Sequence, residues 1–151
     1  MKTTPQRFSF MLMLTLASMT VHADEKTTAI SEAMTVLDNF MQAFNERDAQ
    51  AWSETLNYPH VRFASGSVSV YQDGRAFVDR PVFETLVKSG WDHSHWISRE
   101  VVLASPAKVH IATVFQRFNV NNEAIGRYES LYIVTKVKDH WGIQARSSLA
   151  P

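Results

Sequence analysis

Residues 96–148 alternate apolar and polar side chains through four successive runs, with only short interruptions between them. A period of two sends neighbouring side chains to opposite faces of an extended strand. Residues 95–104, 109–120, 125–136 and 141–148 therefore read as four strands, joined at Ser105-Pro106, Asn121-Asn122 and Lys138-Asp139. Connections this short make antiparallel hairpins. If the turns keep register, one face carries Trp96, Ser98, Glu100, Val102, Ile111, Thr113, Phe115, Arg117, Tyr128, Ser130, Tyr132, Trp141 and Ile143. The other carries Ile97, Arg99, Val101, Ala112, Val114, Gln116, Glu129, Leu131, Ile133, Gln144 and Arg146. A slip of one residue exchanges the faces of a strand.

Upstream the period changes. Ile30, Ala33, Met34, Leu37, Phe40, Met41 and Phe44 recur every three or four residues, one face of a helix over residues 28–44 with Thr27 or Thr28 as its cap. Asp48 is placed to cap a second, short helix carrying Ala51, Trp52 and Leu56, and Pro59 breaks the helical pattern. Residues 60–64 and 67–71 read as short strands around Ser65-Gly66, followed by a turn at Asp73-Gly74. A third helix begins near Pro81, buries Val82, Phe83, Leu86 and Val87, and ends at Gly90. The sum is an α+β fold: a curved antiparallel sheet of about six strands, two short and four in a C-terminal meander, backed by three N-terminal and mid-chain helices.

Residues 1–23 stand apart from this pattern. Lys2 and Arg7 precede an apolar run over residues 8–21, and Val21-His22-Ala23 offers small residues at the cleavage positions before Asp24. That layout predicts a secretory leader cut between Ala23 and Asp24, hence a periplasmic or secreted protein; the alternative is an uncleaved anchor. The chain has no cysteine, which excludes lipidation after the leader, disulfides and thiol chemistry. The remaining 24–151 are long enough for a single domain with a core. Loss of Lys2 and Arg7 leaves 13 basic against 15 acidic side chains, a balance that gives no reason to expect nucleic acid, or a membrane once the leader is removed.

The order of helices, short strands, helix and meander resembles the nuclear transport factor 2-like superfamily, also called SnoaL-like or steroid-isomerase-like. The similar phrases are AFNERDAQAWSETLNYPHVRF, at the passage from helix to first strand, and YESLYIVTKVKDHWGIQARSS, at the last hairpin. The resemblance implies a cone with an open-ended pocket, commonly dimeric, in a superfamily that includes isomerases, dehydratases, cyclases, epoxide hydrolases and non-catalytic binding or assembly domains. It also implies where steroid isomerases keep their catalytic acids. The carboxylate base matches Phe63, and the oxyanion-hole acid falls near Leu131, where this chain has Ser130, Leu131 and Tyr132. Neither position offers a carboxylate, which weighs against that reaction.

Four groups of residues carry possible chemistry. Arg99, Gln116, Glu129 and Arg146 fall on neighbouring strands of one expected face, and two guanidinium groups around one carboxylate leave charge to hold an anionic group; the alternative is an ion-pair network on an outer face or a dimer interface. Trp91-Asp92-His93-Ser94-His95-Trp96 places two histidines on one side of an extended chain, a weak metal signal without a third ligand at proper spacing, and no metal or other cofactor is expected. His60, with Tyr58, is the better acid–base candidate because histidine titrates near neutrality, although a buried, hydrogen-bonded core histidine is the commoner role for such a residue. The aromatic set Trp52, Phe63, Trp91, Trp96, Phe115, Tyr128, Tyr132 and Trp141 suits either a flat apolar ligand or a plain core, and Glu100 is expected to pair with Arg117.

The expected function is an exported domain that binds a small, partly apolar molecule in a cone-shaped pocket. Its ligand-binding residues are Phe63, Trp96, Arg99, Phe115, Arg117, Tyr128, Glu129, Tyr132 and Arg146, with Arg99 or Arg146 as polar anchor. One alternative is a lyase or isomerase using His60 and Tyr58, or Tyr128 or Tyr132 as proton donor. Another is an assembly or adaptor domain. A homodimer is expected in each case.

Overall fold

The computed structural model describes the backbone of residues 10–150 and the side chains of residues 24–150. The expected leader, residues 1–23, lies outside the residues described with side chains. Among the described residues four helices, α1 (Phe10–Glu46), α2 (Ala49–Glu54), α3 (Gly74–Val78) and α4 (Val82–Lys88), accompany six strands, β1 (Leu56–Ala64), β2 (Ser67–Tyr71), β3 (His93–Ser105), β4 (Lys108–Phe118), β5 (Ala124–Val137) and β6 (His140–Ser148). The strands form one sheet in the order β2-β1-β6-β5-β4-β3. Four of its pairings are antiparallel; β1 lies parallel to β6, so the sheet is mixed.

The expected helices are α1, α2 and α4. Because α1 runs through Thr27 and Thr28, neither residue caps it. Asp48 does cap α2, its carboxylate accepting from the Ala51 amide at 2.9 Å. Where a turn was expected at Asp73-Gly74, Asp73 caps the extra helix α3 in the same way through Ala76. An N-terminal cap contributes about 1 kcal/mol, enough to hold a helix of this length against its neighbours.

α1 lays Ala29, Ala33, Leu37, Phe40 and Phe44 against the sheet, where Val109, Ile111, Tyr132, Val134 and Ile143 meet them. Each large apolar side chain buried there contributes about 1.5–3 kcal/mol. The end of α1 is fixed by a polar clamp: Asn45 donates to the Ser94 carbonyl and accepts from the Ser94 amide, both at 2.9 Å. This sets the depth at which Phe40, Met41 and Phe44 sit over the strands.

Register shifts in the sheet decide which side chains face the helices. In β3 the register shifts between Trp96 and Ser98, so Trp96 opposes Phe115 but Arg99 opposes Thr113 and Val101 opposes Ile111. In β6 it shifts at Gln144, so Ile143 opposes Val134 and Arg146 opposes Tyr132. In β5 it shifts at Ile125, between the partners of Arg117 and Phe118. A bulge inserts one residue and reverses the alternation beyond it. The inner face therefore carries Trp96, Arg99, Val101 and Arg146, while Ser98 and Glu100 lie with Ala112, Val114, Glu129 and Leu131 on the outer face. This corrects the assignment expected for Arg99, Val101, Ser98, Glu100 and Arg146.

Candidate functional site

Between the helices and the inner face of the sheet lies a cavity of about 260 Å3, near the lower edge of the ~300–1,000 Å3 usual for small-molecule sites. Phe40, Met41 and Phe44 of α1, Trp52 of α2, Phe77 of α3 and Leu86 of α4 supply apolar walls, and Phe115 and Tyr132 supply the sheet side. The rings interlock: Trp52 packs at 4.6 Å from Phe77 and 5.4 Å from Phe40, and Phe40 meets Tyr132 edge-on at 5.6 Å. These are ordinary separations for favourable aromatic pairs.

The polar lining is one-sided in charge. Arg62 on β1, Arg80 before α4, Arg117 on β4 and Arg146 on β6 reach the cavity, and among the described residues no aspartate or glutamate lines it. Arg80 lies over Phe77, Tyr71 and Trp52 at 3.9, 4.6 and 5.5 Å and donates through Nε to the Phe77 carbonyl at 2.8 Å. Arg117 lies over Tyr128 at 4.9 Å, and Arg146 over Tyr132, Phe115 and Phe40 at 5.2, 5.6 and 5.9 Å. Arg146 also donates to the Ser148 hydroxyl at 3.1 Å. Burial pushes all three guanidinium groups below their ordinary value; neighbouring tyrosines oppose the shift and other arginines reinforce it. Arg80 Nη2, Arg117 Nε and Arg146 Nε are buried without a hydrogen-bond partner.

His60 sits in the same wall, 3% exposed. Its Nδ1 lies 2.9 Å from the Ile143 carbonyl, an acceptor only, so Nδ1 carries the proton and Nε2 the lone pair. Burial above all lowers its pKa to about 4; the Ile143 carbonyl opposes the shift, and Arg146, Arg80 and Arg62 add to it. His60 is thus neutral near pH 7 and a weak base. Tyr58 donates its hydroxyl to the Ser53 carbonyl at 3.0 Å rather than to His60, and burial raises its pKa. The expected Tyr58–His60 proton path is not formed.

Of the other expected residues, Phe115, Arg117, Tyr132 and Arg146 line the cavity. Trp96 stands behind that wall, edge-on to Phe115 and Tyr132, and Tyr128 supports Arg117 from below. Phe63 is 47% exposed, since the alternation of β1 turns His60 and Arg62 inward and Phe63 outward. Arg99 pairs with Asp38 of α1 at 2.6 Å and also donates to the Met34 carbonyl. Gln116 donates to the Gly126 carbonyl. Glu129 is on the outer face. The Arg99–Gln116–Glu129–Arg146 group is therefore dispersed, and Glu100, on the outer face, cannot pair with Arg117. His93 stacks on Phe118 at 5.2 Å and donates through Nδ1 to the Asp92 carboxylate at 2.9 Å, with His95 beside it at 5.1 Å.

Two cavity arginines escaped the sequence reading. Arg62 follows His60 by two residues in a strand, and that spacing alone places both on one face. Arg80 stands in a connection with no periodicity, where no sequence signal marks its direction.

The family described as NTF2-like protein (DUF6841) matches residues 31–150. No curated protein sequence matches the chain. Among solved structures, an NTF2-like protein of unknown function from Shewanella oneidensis MR-1 is similar at 12% identity and TM-score 0.65, covering 80% of this chain and 98% of that one. An NTF2-like protein with a cystatin-like fold from Novosphingobium aromaticivorans reaches TM-score 0.66 at 12% identity over 96% and 91%. A ketosteroid isomerase-like protein from Erwinia carotovora atroseptica gives 0.59 at 16% over 80% and 96%. Identities this low speak to fold alone, and the fold agrees with a family match that spans both the helical half and the whole meander: this chain belongs to the NTF2-like family.

Proposed function

We propose that this chain is an exported domain that binds a small, partly apolar molecule in its cavity, with Arg146 as a polar anchor. The observation that carries the reading is a space walled by Phe40, Trp52, Phe77, Phe115 and Tyr132 and entered by guanidinium groups. Apolar walls with a few convergent polar groups are the usual make-up of small-molecule sites. A thermal-shift screen of small ring compounds tests it, because a ligand that binds the folded state raises its melting temperature. Thr85, exposed at the cavity rim, supplies the control: Thr85→Trp should abolish the shift while leaving the unliganded melting temperature within a few degrees. No shift from any ring compound would sink the proposal. Export is tested separately, by the mass of the protein recovered from the periplasm, which should begin at Asp24.

An acid–base role for His60 is the alternative. Its unprotonated Nε2 favours it, and its low basicity weighs against it, since general bases work best when their pKa lies near the working pH. A His60→Ala change that leaves turnover of a candidate substrate intact would remove this reading.

We infer further that a second copy covers the outer sheet face, where Ile97, Leu131 and Leu149 are 51%, 36% and 69% exposed beside Ala112 and Val114. Apolar side chains exposed together among polar ones on one sheet face mark an interface more often than a free surface. Light scattering should give a dimer, and Leu131→Glu a monomer; a monomeric wild type overturns the inference.

A further inference from the structure

The four arginines of the cavity raise a question that apolar walls do not answer. Arg62, Arg80, Arg117 and Arg146 stand in one space with no carboxylate among its lining residues. Like charges brought together in a poorly solvated space repel one another and lose hydration. The groups acting on Arg80, Arg117 and Arg146 are tyrosines and other arginines, without an acid among them. Among the described residues no carboxylate neutralises them.

Aromatic rings compensate in part, and the geometry shows which part. The rings of Phe77, Tyr128 and Tyr132 lie against guanidinium groups at 3.9, 4.9 and 5.2 Å, contacts that use the π-face of the ring. The N–H bonds lie in the guanidinium plane and need acceptors of their own. Arg80 Nη2, Arg117 Nε and Arg146 Nε have none, although all three are buried. Buried donors without partners are rare in folded proteins. Trp52 Nε1, in the same wall, is also without a partner. The donors come from β4, β6, α2 and the segment before α4, so they converge from several sides rather than lining one edge.

We infer that the cavity takes a small anion with a flat apolar body and a carboxylate, held jointly by Arg62, Arg80, Arg117 and Arg146. The inference rests on the reading of this cavity as a binding site and narrows it to a ligand class. A carboxylate supplies in-plane acceptors for paired guanidinium donors, and the surrounding rings supply a surface for a planar body. His60 takes no part as a counter-ion, since it is neutral and offers only the Nε2 lone pair.

The experiment compares benzoate, phenylacetate and 1-naphthoate with their carboxamides, which share shape and lack charge, by calorimetric titration and thermal shift. The carboxylates should bind at least tenfold more tightly than the amides. Arg117→Met and Arg146→Met, which keep most of the volume and remove the charge, should each erase that preference. Arg99→Met, outside the cavity and paired with Asp38, should leave it intact. Should a variant fail to fold, the wild-type arginine Nε–H resonances decide: two buried signals should move on titration with 1-naphthoate and stay in place with the amide. Equal affinity for acid and amide overturns this inference and spares the cavity as a binding site. Binding of neither series overturns both together.

Discussion

Arg117 on β4 and Arg146 on β6 enter one cavity from either side of β5, and the charge of Arg146 bears on Arg117 with no carboxylate between them. Two opposed effects set what Arg146 does for stability. Its contacts with Tyr132, Phe115 and Phe40 contribute about 0.5–2 kcal/mol, whereas holding an unpaired ion away from water costs several kcal/mol. The second effect is larger. Arg146→Met is therefore expected to leave the ligand-free protein as stable as wild type or about 1 kcal/mol more stable, read from urea unfolding. A loss beyond about 2 kcal/mol would make Arg146 a structural strut instead.

His60 ties stability to pH. Unfolded, it titrates near 6.5; folded, at about 4. Between those values the unfolded chain holds the extra proton, so stability falls as pH falls from 6.5 and stops falling, for this residue, below about 4. The span corresponds to roughly 3 kcal/mol. The charged groups facing His60 are Arg146, Arg80 and Arg62, none of which titrates in that window. In His60→Gln the position no longer titrates. The wild type's unfolding free energy should drop by roughly 3 kcal/mol more than the variant's between pH 7 and 4, and parallel curves would contradict the assignment.

The same strands show where alternation informs and where it misleads. On β4, and on β5 beyond its shift at Ile125, the parity holds, and Ile111, Thr113, Phe115, Arg117, Tyr128, Ser130 and Tyr132 share the inner side as their spacing implies. On β3 an inserted residue at Ile97, ahead of a second shift at Val102, and on β6 one at Gln144, reverse parity partway along. Arg99 and Arg146 thereby leave the face shared with Glu129, one for Asp38 and the other for the cavity. No turn residue marks either bulge, because a bulge is fixed by how the strand must bend over the helices rather than by local propensity. Phe63 faces outward for a different reason: His60 and Arg62 take the inner face of β1, and a likeness to a family position carries no information on that parity.

Asn45 closes α1 onto β3 through two hydrogen bonds to the backbone of Ser94, a residue with no exposed surface. The Trp91 indole donates to the hydroxyl of the same serine at 2.9 Å. Removal of the amide leaves a buried N–H and a carbonyl without partners, which costs more than the bonds themselves contribute. Asn45→Ala should lower stability by about 2–3 kcal/mol. Asn45→Asp keeps the acceptor and loses the donor, so its loss should fall between those of alanine and wild type. Denaturant midpoints for the three proteins check the order, and equal midpoints for alanine and wild type would show that the clamp is dispensable.

Two glycines on neighbouring strands separate a contact that can yield from one that cannot. A β-carbon on Gly126 would meet the Tyr128 ring, with Cε2 and Cζ at 2.7 Å, whereas one on Gly142 would meet the backbone of Leu56 at 2.8 Å and Asn57 at 2.9 Å. The tyrosine can swing aside, at the expense of its contact with Arg117; the backbone where β1 enters alongside β6 has no such freedom, since Asn57 is itself held by Thr135 and Gly142. Overpacking costs about 1–3 kcal/mol when side chains absorb it and more when the backbone must move. Gly126→Ala should therefore destabilise by about 1 kcal/mol and alter the Tyr128 fluorescence and ring resonances. Gly142→Ala should destabilise by about 3 kcal/mol or more and shift the β1 amide signals. A smaller loss at Gly142 than at Gly126 would mean that the β1–β6 pairing is looser than these distances state.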